Sequence, residues 1–163
     1  MKNRIIAPII ATLFLFTFNV WASSAADGKA PKNVIMIIGD GMGPEQIGFL
    51  MSYARQAPGS IFKGGKTAFD KIMDNEGVLG LSMTHAHNVL VTDSAAAGSQ
   101  LATGVYSGSE MVGLDHNGDP VPTVLEKAKS VGKSAGLISD TRVTHATPAA
   151  FAAHQAHRSM ENA

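Results

Sequence analysis

The chain has no cysteine. That excludes a disulfide framework and a thiolate zinc site, so any metal must be held by His, Asp, Glu or hydroxyl oxygens. It also lacks an excess of either charge: 13 basic and 13 acidic residues leave a formal net charge of zero over 163 residues. A nucleic-acid partner usually calls for a basic surface, so this balance speaks against specific nucleic-acid binding. Internal repeats and long low-complexity tracts are missing too. The length suits one domain of ordinary size.

What is present begins with a targeting pattern. MKNR is a basic start, IIAPIIATLFLFTFNVW follows without a charge, and VWA offers a small residue before a cut after Ala22, with Ala25 as a second option. This is the three-part layout of a secretory signal. A membrane anchor fits less well, because the run is short for a span of about 20 residues and carries Pro8, Thr12, Thr17 and Asn19. The reading is a signal peptide over 1–22, a polar lead-in over 23–32 and a domain over 33–163. It predicts a periplasmic or secreted protein without a stable membrane anchor.

Within the domain, apolar runs alternate with helix patterns. NVIMII (33–38), VLGLSM (78–83), NVLV (88–91) and SAGLIS (134–139) read as strands. Helices are expected over 45–56, over 66–75 closed by Gly77, and over 94–103 running to Gly104. Thr123 and Glu126 form a capping box for another helix, with Gly132 as its stop. Residues 105–121 are loop-rich, with HNGDP as a turn. Thr147 is expected to cap a last helix, with Pro148 at its first position and AAFAAHQAHRS (149–159) continuing it. Such alternation implies an α/β fold with a mostly parallel sheet flanked by helices. In sheets of this kind, sites gather at the C-terminal ends of strands. Asp40, Asp93–Ser94 and the stretch from Asp140 to Thr147 all fall there.

The residue types at those ends narrow the chemistry. GDGMGP (39–44) is a poor dinucleotide loop, since Pro44 stands where the third glycine belongs and Asp40 would repel a pyrophosphate. A carboxylate at a strand end, among glycines that let ions approach, suits a divalent cation. Asp93 or Ser94 before alanines is an ordinary helix N-cap. A serine in that field is also placed to attack an anion bound at the helix start. No G-x-S-x-G elbow surrounds it. His85 and His87, near in sequence, read as exposed histidines at a strand end; without a base, a hydroxyl can be activated by coordination to a metal, which fits Asp40 nearby. Arg158 lies 11 positions after Thr147. On a continuous helix the two share a face roughly 16 Å apart, and the guanidinium would reach part of the way back toward an anion at the helix start. His154 and His157, one turn apart on that helix, read as ordinary helix histidines rather than a metal pair.

NVIMIIGDGMGPEQ, VTDSAAAG with the later ATG, and THATPAAFAAH ending in HR resemble the N-terminal part of bacterial alkaline phosphatases. The wording of THATPAAF is similar to the marine and cold-adapted branch. The likeness covers residues 31–163, and it implies an alkaline-phosphatase-like fold, incomplete in this chain. It implies hydrolysis of small phosphate monoesters through a phosphoserine intermediate, two zinc ions and one magnesium ion, and a homodimer at full length. By position, Ser94 would be the nucleophile and a metal ligand, and Asp40 would bridge a zinc and the magnesium. Thr147 would bind the magnesium through its hydroxyl, and Arg158 would clamp phosphate with Asp93 orienting it. His145 stands where members carry Asp or His and would act around the magnesium rather than as a sure ligand. The family's other metal ligands belong to later motifs, so this stretch is expected to be the front of a longer enzyme, inactive and poorly folded by itself. Two other readings stay open: another superfamily hydrolase (phosphodiesterase or sulfatase-like), or a secreted non-catalytic protein that binds phosphate or metal.

Overall fold

The computed structural model describes residues 31–63, 65–75 and 77–162. The expected signal peptide and residues 23–30 of the lead-in lie outside them. The chain divides into two compact units, Met1–Ile37 and Ile38–Ala163. In the first, residues 31–37 form neither helix nor strand, and Val34, Ile35 and Ile37 are exposed. The second unit carries the five helices assigned among the described residues.

Four of the five helices assigned begin where the sequence offers a side-chain partner for a backbone N–H at the start. Helix α1 (Pro44–Gln56) has proline at its first position, while the Gln46 side chain accepts from the Gly43 N–H at 2.9 Å. Helix α2 (Ala68–Asp74) starts from a reciprocal Thr67–Asp70 box, and Arg55 of α1 binds the same Asp70 at 2.7 Å. Helix α3 (Ser94–Thr103) is capped by Asp93, which accepts from the Ala95 N–H at 2.7 Å. It ends at Gly104, whose φ of +73° is the left-handed value a helix stop favours. Helix α4 (Val124–Ser130) opens with the Thr123–Glu126 box. The chain then turns at Gly132, which is also left-handed.

Helix α5 departs from expectation. It spans only Ala146–Ala149, its N-cap is His145, and Thr147 is a helical residue rather than the cap. The alanine-rich stretch after it is competent to be helical, but its backbone groups go elsewhere. The Phe151 carbonyl accepts from the buried Thr123 hydroxyl at 2.7 Å. Gln155 exchanges both backbone hydrogen bonds with Val112, and the Arg158 N–H donates to the Glu110 carbonyl at 2.8 Å. Tertiary bonds to segment 110–112 outweigh local helix propensity here. His154, His157 and Arg158 therefore lie outside any helix, and no continuous helix joins Thr147 to Arg158.

The other departure concerns the sheet. Segments 33–38, 78–83, 88–91 and 134–139 run without a ladder, and the pairings outside helices are isolated bridges, His87 with Gly108, Val112 with Gln155 and Leu114 with Pro120. Strand-forming composition does not make a strand until its N–H and C=O groups meet a neighbour. Among the described residues these segments meet none, and Leu81, Leu90 and Ile138 are almost wholly exposed.

The core is built from small side chains. Ala95, Val112, Ala146 and Ala150 form its buried cluster, with Ala149 and Ala153 packed against it. This lets α3 and α5 approach closely: a Cβ added at Gly98 would stand 3.2 Å from the Ala150 Cβ and 3.6 Å from the Thr147 Cα. The alanine run after Ser94 thus brings the starts of two helices side by side. Among the described residues, no helix is long and apolar enough to cross a membrane.

Candidate active site

Asp40 projects from a tight turn closed by the Met42 N–H on the Gly39 carbonyl at 3.1 Å. Gly41, at φ +67°, makes that turn possible. One carboxylate oxygen accepts from the Ser94 hydroxyl and the other from the Thr147 hydroxyl, each at 2.9 Å. Three residues separated by up to 107 positions thereby converge on one point. Asp93, not Ser94, is the N-cap of α3, which leaves the Ser94 hydroxyl free to face Asp40. These two hydrogen bonds, Thr147 first, hold the Asp40 carboxyl below the usual carboxylate range; burial opposes them, and the weaker positive field of His145 and Arg158 adds to the lowering. A carboxyl so depressed stays ionised and is a poor proton acceptor. Its role is to hold the two hydroxyls or to bind a cation.

The Arg158 guanidinium sits beside this cluster and is contacted at each nitrogen. Nη1 lies 3.6 Å from Asp93, Nη2 lies 3.3 Å from the His145 imidazole, and Nε lies 3.8 Å from Glu110. Asp93 is therefore shared: one oxygen caps α3 and faces Arg158, and the other accepts from the Glu110 N–H at 2.9 Å. A cleft of about 300 Å³ opens next to the guanidinium, lined by Glu110, Arg142, His145, His157, Arg158 and Glu161. Its far wall is fixed by Glu161, which accepts two bonds from Arg142 and one from Thr144. Those bonds pull the Glu161 carboxyl down to about 2.

All six residues singled out in the sequence, Asp40, Asp93, Ser94, His145, Thr147 and Arg158, meet in one neighbourhood. The route by which Arg158 arrives differs from the helical one expected, since a bridge to segment 110–112 carries it there. The other histidines have separate partners. His85 packs tilted against Tyr106 and His87 meets it edge-on, with ring centroids 4.8 and 5.7 Å away, and His87 also packs on His116 at 5.0 Å. His154 bonds the Gly113 carbonyl and Glu126, while His157 bonds Ser159. Glu110 was not legible as a site residue. Its one signal is the SGSE turn, and its place depends on bonds to Asp93 and Arg158 that sequence does not display.

Chemically, the arrangement presents a hydroxyl at a helix N-terminus to any anion held by the guanidinium. Asp40 with two hydroxyls is a set of hard oxygen donors, which fits a magnesium-like dication. It does not make a closed zinc site, which takes three or four protein ligands with His or Cys prominent. No group of three or more His, Asp or Glu among the described residues is placed to hold a metal.

Comparison with known proteins identifies the family. The alkaline phosphatase family model matches residues 31–163. Alkaline phosphatase 4 of Bacillus subtilis is 43% identical over 141 residues, covering 84% of this chain and 29% of that protein. The Escherichia coli alkaline phosphatase is 37% identical over 139 residues, covering 80% and 27%. Among solved structures, the alkaline phosphatase of the Antarctic bacterium TAB5 superposes with a TM-score of 0.67 at 30% identity, over 82% of this chain and 35% of that one. The cold-active enzyme of a psychrophilic Shewanella gives 0.62 at 35% identity, over 74% and 29%. The chain belongs to the alkaline phosphatase family, and its fold is part of the α/β fold of those enzymes. It spans less than a third of the length of the two curated relatives named.

Proposed function

We propose that the protein hydrolyses small phosphate monoesters through a phosphoserine formed at Ser94. The observation that carries this reading is the double hydrogen bond from Ser94 and Thr147 to Asp40, beside the Asp93–Arg158 pair. Arg158 grips two oxygens of the phosphate, and its contacts to Asp93 and His145 limit how the guanidinium turns. The N-terminus of α3 adds a positive field at the same place. Ser94 Oγ forms a bond to phosphorus as the bond to the ester oxygen breaks, and the alcohol leaves with a proton. Water then attacks the phosphoserine, the Oγ–P bond breaks, and inorganic phosphate and the free serine result. Asp40, depressed in pKa, aligns the hydroxyl rather than removing its proton.

Magnesium fits Asp40, Thr147 and Ser94, and a cation bound there supplies charge that favours the alkoxide form of a serine. We infer two zinc ions as well, from the family resemblance. The described residues do not complete a zinc site. By the same resemblance we read the working enzyme as a homodimer. The composition of residues 1–22 supports a signal peptide and a periplasmic or secreted location. The mature N-terminus is then expected at Ser23 or Ala26.

The direct test is Ser94→Ala in the polypeptide as its source makes it, assayed on p-nitrophenyl phosphate. Turnover is expected to fall by about 10³ or more, as when a nucleophile is removed from a concerted site. Retention of a tenth of the activity would defeat the proposal.

A further inference from the structure

Glu110 has an unusual backbone. Its φ is +64°, the left-handed region that residues with a Cβ avoid. Such outliers persist only where the surroundings hold them, and they gather at functional sites. Here the hold is explicit. The Glu110 N–H donates to Asp93 at 2.9 Å, and its carbonyl accepts from the Arg158 N–H at 2.8 Å. The residue is a two-sided clip between the N-cap of the nucleophile's helix and the phosphate clamp. Glycine would satisfy the same clip without strain, since both bonds are made by the backbone. The side chain therefore needs its own account. Its carboxylate stands 3.8 Å from Arg158 Nε, at the mouth of the cleft, and 3.9 Å from His157.

We propose that Glu110 is an affinity-setting residue whose carboxylate weakens the hold of Arg158 on phosphate. The inference rests on Arg158 being the phosphate clamp. A phosphate dianion seated on that guanidinium lies within a Debye length, about 8 Å at physiological salt, of the Glu110 carboxylate. Repulsion between the carboxylate and a dianion acts at twice the charge of the Glu110–Arg158 attraction. The ion pair itself is long and partly exposed, so it contributes little as a tether. Asp93 and the backbone bond to Arg158 remain when the carboxylate is removed, so the clamp keeps its place. The net effect of Glu110 is a lower affinity for inorganic phosphate, which is the product, and hence easier product release.

The experiment uses the natural full polypeptide with its metals and reads inhibition by inorganic phosphate. Glu110→Gln is expected to tighten phosphate binding by about fivefold, the scale of a screened charge removed from near a dianion. KM should fall in parallel. Glu110→Gly should tighten it equally and also raise the melting temperature, because the strain is relieved. Glu110→Asp should keep phosphate affinity close to that of the parent. Unchanged or weaker phosphate binding in both Glu110→Gln and Glu110→Gly would overturn the inference, even if glycine raised stability. Arg158→Ala run alongside separates the two ideas: if it leaves phosphate binding intact, the clamp assignment fails rather than the role of Glu110.

Discussion

Replacing Asp93 with alanine removes several interactions at once, and their sizes follow from the contacts. Loss of the cap on the Ala95 N–H costs about 1 kcal/mol. Loss of a negative charge at the start of α3 adds roughly 0.5 kcal/mol. The Glu110 N–H loses its acceptor in a half-buried position, which costs about 1 to 2 kcal/mol. The 3.6 Å contact with Arg158 is partly screened and adds at most about 1 kcal/mol. A destabilisation near 3 kcal/mol is therefore expected, read as a shift in the midpoint of equilibrium urea unfolding at constant slope. Asp93→Asn keeps one acceptor oxygen for the cap but loses the charge and the acceptor for the Glu110 N–H, so it should cost about 2 kcal/mol. Both variants should raise KM severalfold, because Arg158 loses a partner. A loss below about 1 kcal/mol for the alanine variant would refute the reasoning, since Asp93 would then not join the helix cap to segment 109–110.

Two further outcomes follow from the same geometry. Thr147→Val removes the hydroxyl that donates to Asp40, so the magnesium concentration for half-maximal activity should rise by about tenfold, as for the loss of a ligand or its close support; an unchanged magnesium dependence would contradict that role. For His154, burial alone would lower the imidazole pKa, but bonds to the Gly113 carbonyl and Glu126 outweigh it and raise the pKa above 6.5. A raised folded-state pKa contributes stability that is complete below the unfolded value and lost as pH rises through the folded one. The stability gap between the parent and His154→Ala should therefore be widest below pH 6.5 and narrow as pH rises above it, and a gap that stayed constant or widened would contradict the pairing.

The parts of the molecule that were legible in the sequence are those set by short-range rules. The Thr123–Glu126 box and the stops at Gly104 and Gly132 each depend on residues within a few positions of one another. Asp40 and Ser94 could be picked out because their types and settings implied one chemistry, whereas the place of Thr147 beside them came from the family resemblance. What could not be read was long-range. Helix α5 was expected to run to Ser159, because the alanines there favour helix. The bonds from Thr123, Val112 and Glu110 that end it at Ala149 come from far along the chain. The cap at α3 was assigned to Asp93 or Ser94, and only the position of Asp40 shows why it must be Asp93. The strand-like segments illustrate the same limit: composition marks them, but pairing depends on neighbours that the local pattern does not contain.

The central claim is that Ser94 becomes phosphorylated during turnover. The most direct measurement is acid quench of the natural enzyme during steady-state hydrolysis of a phosphate monoester, followed by peptide mapping by mass spectrometry. The account predicts an added phosphate on the peptide containing VTDSAAAG, localised to Ser94 and lost when substrate is exhausted. Turnover with no phosphate on that peptide, or phosphate on a different residue, would contradict it.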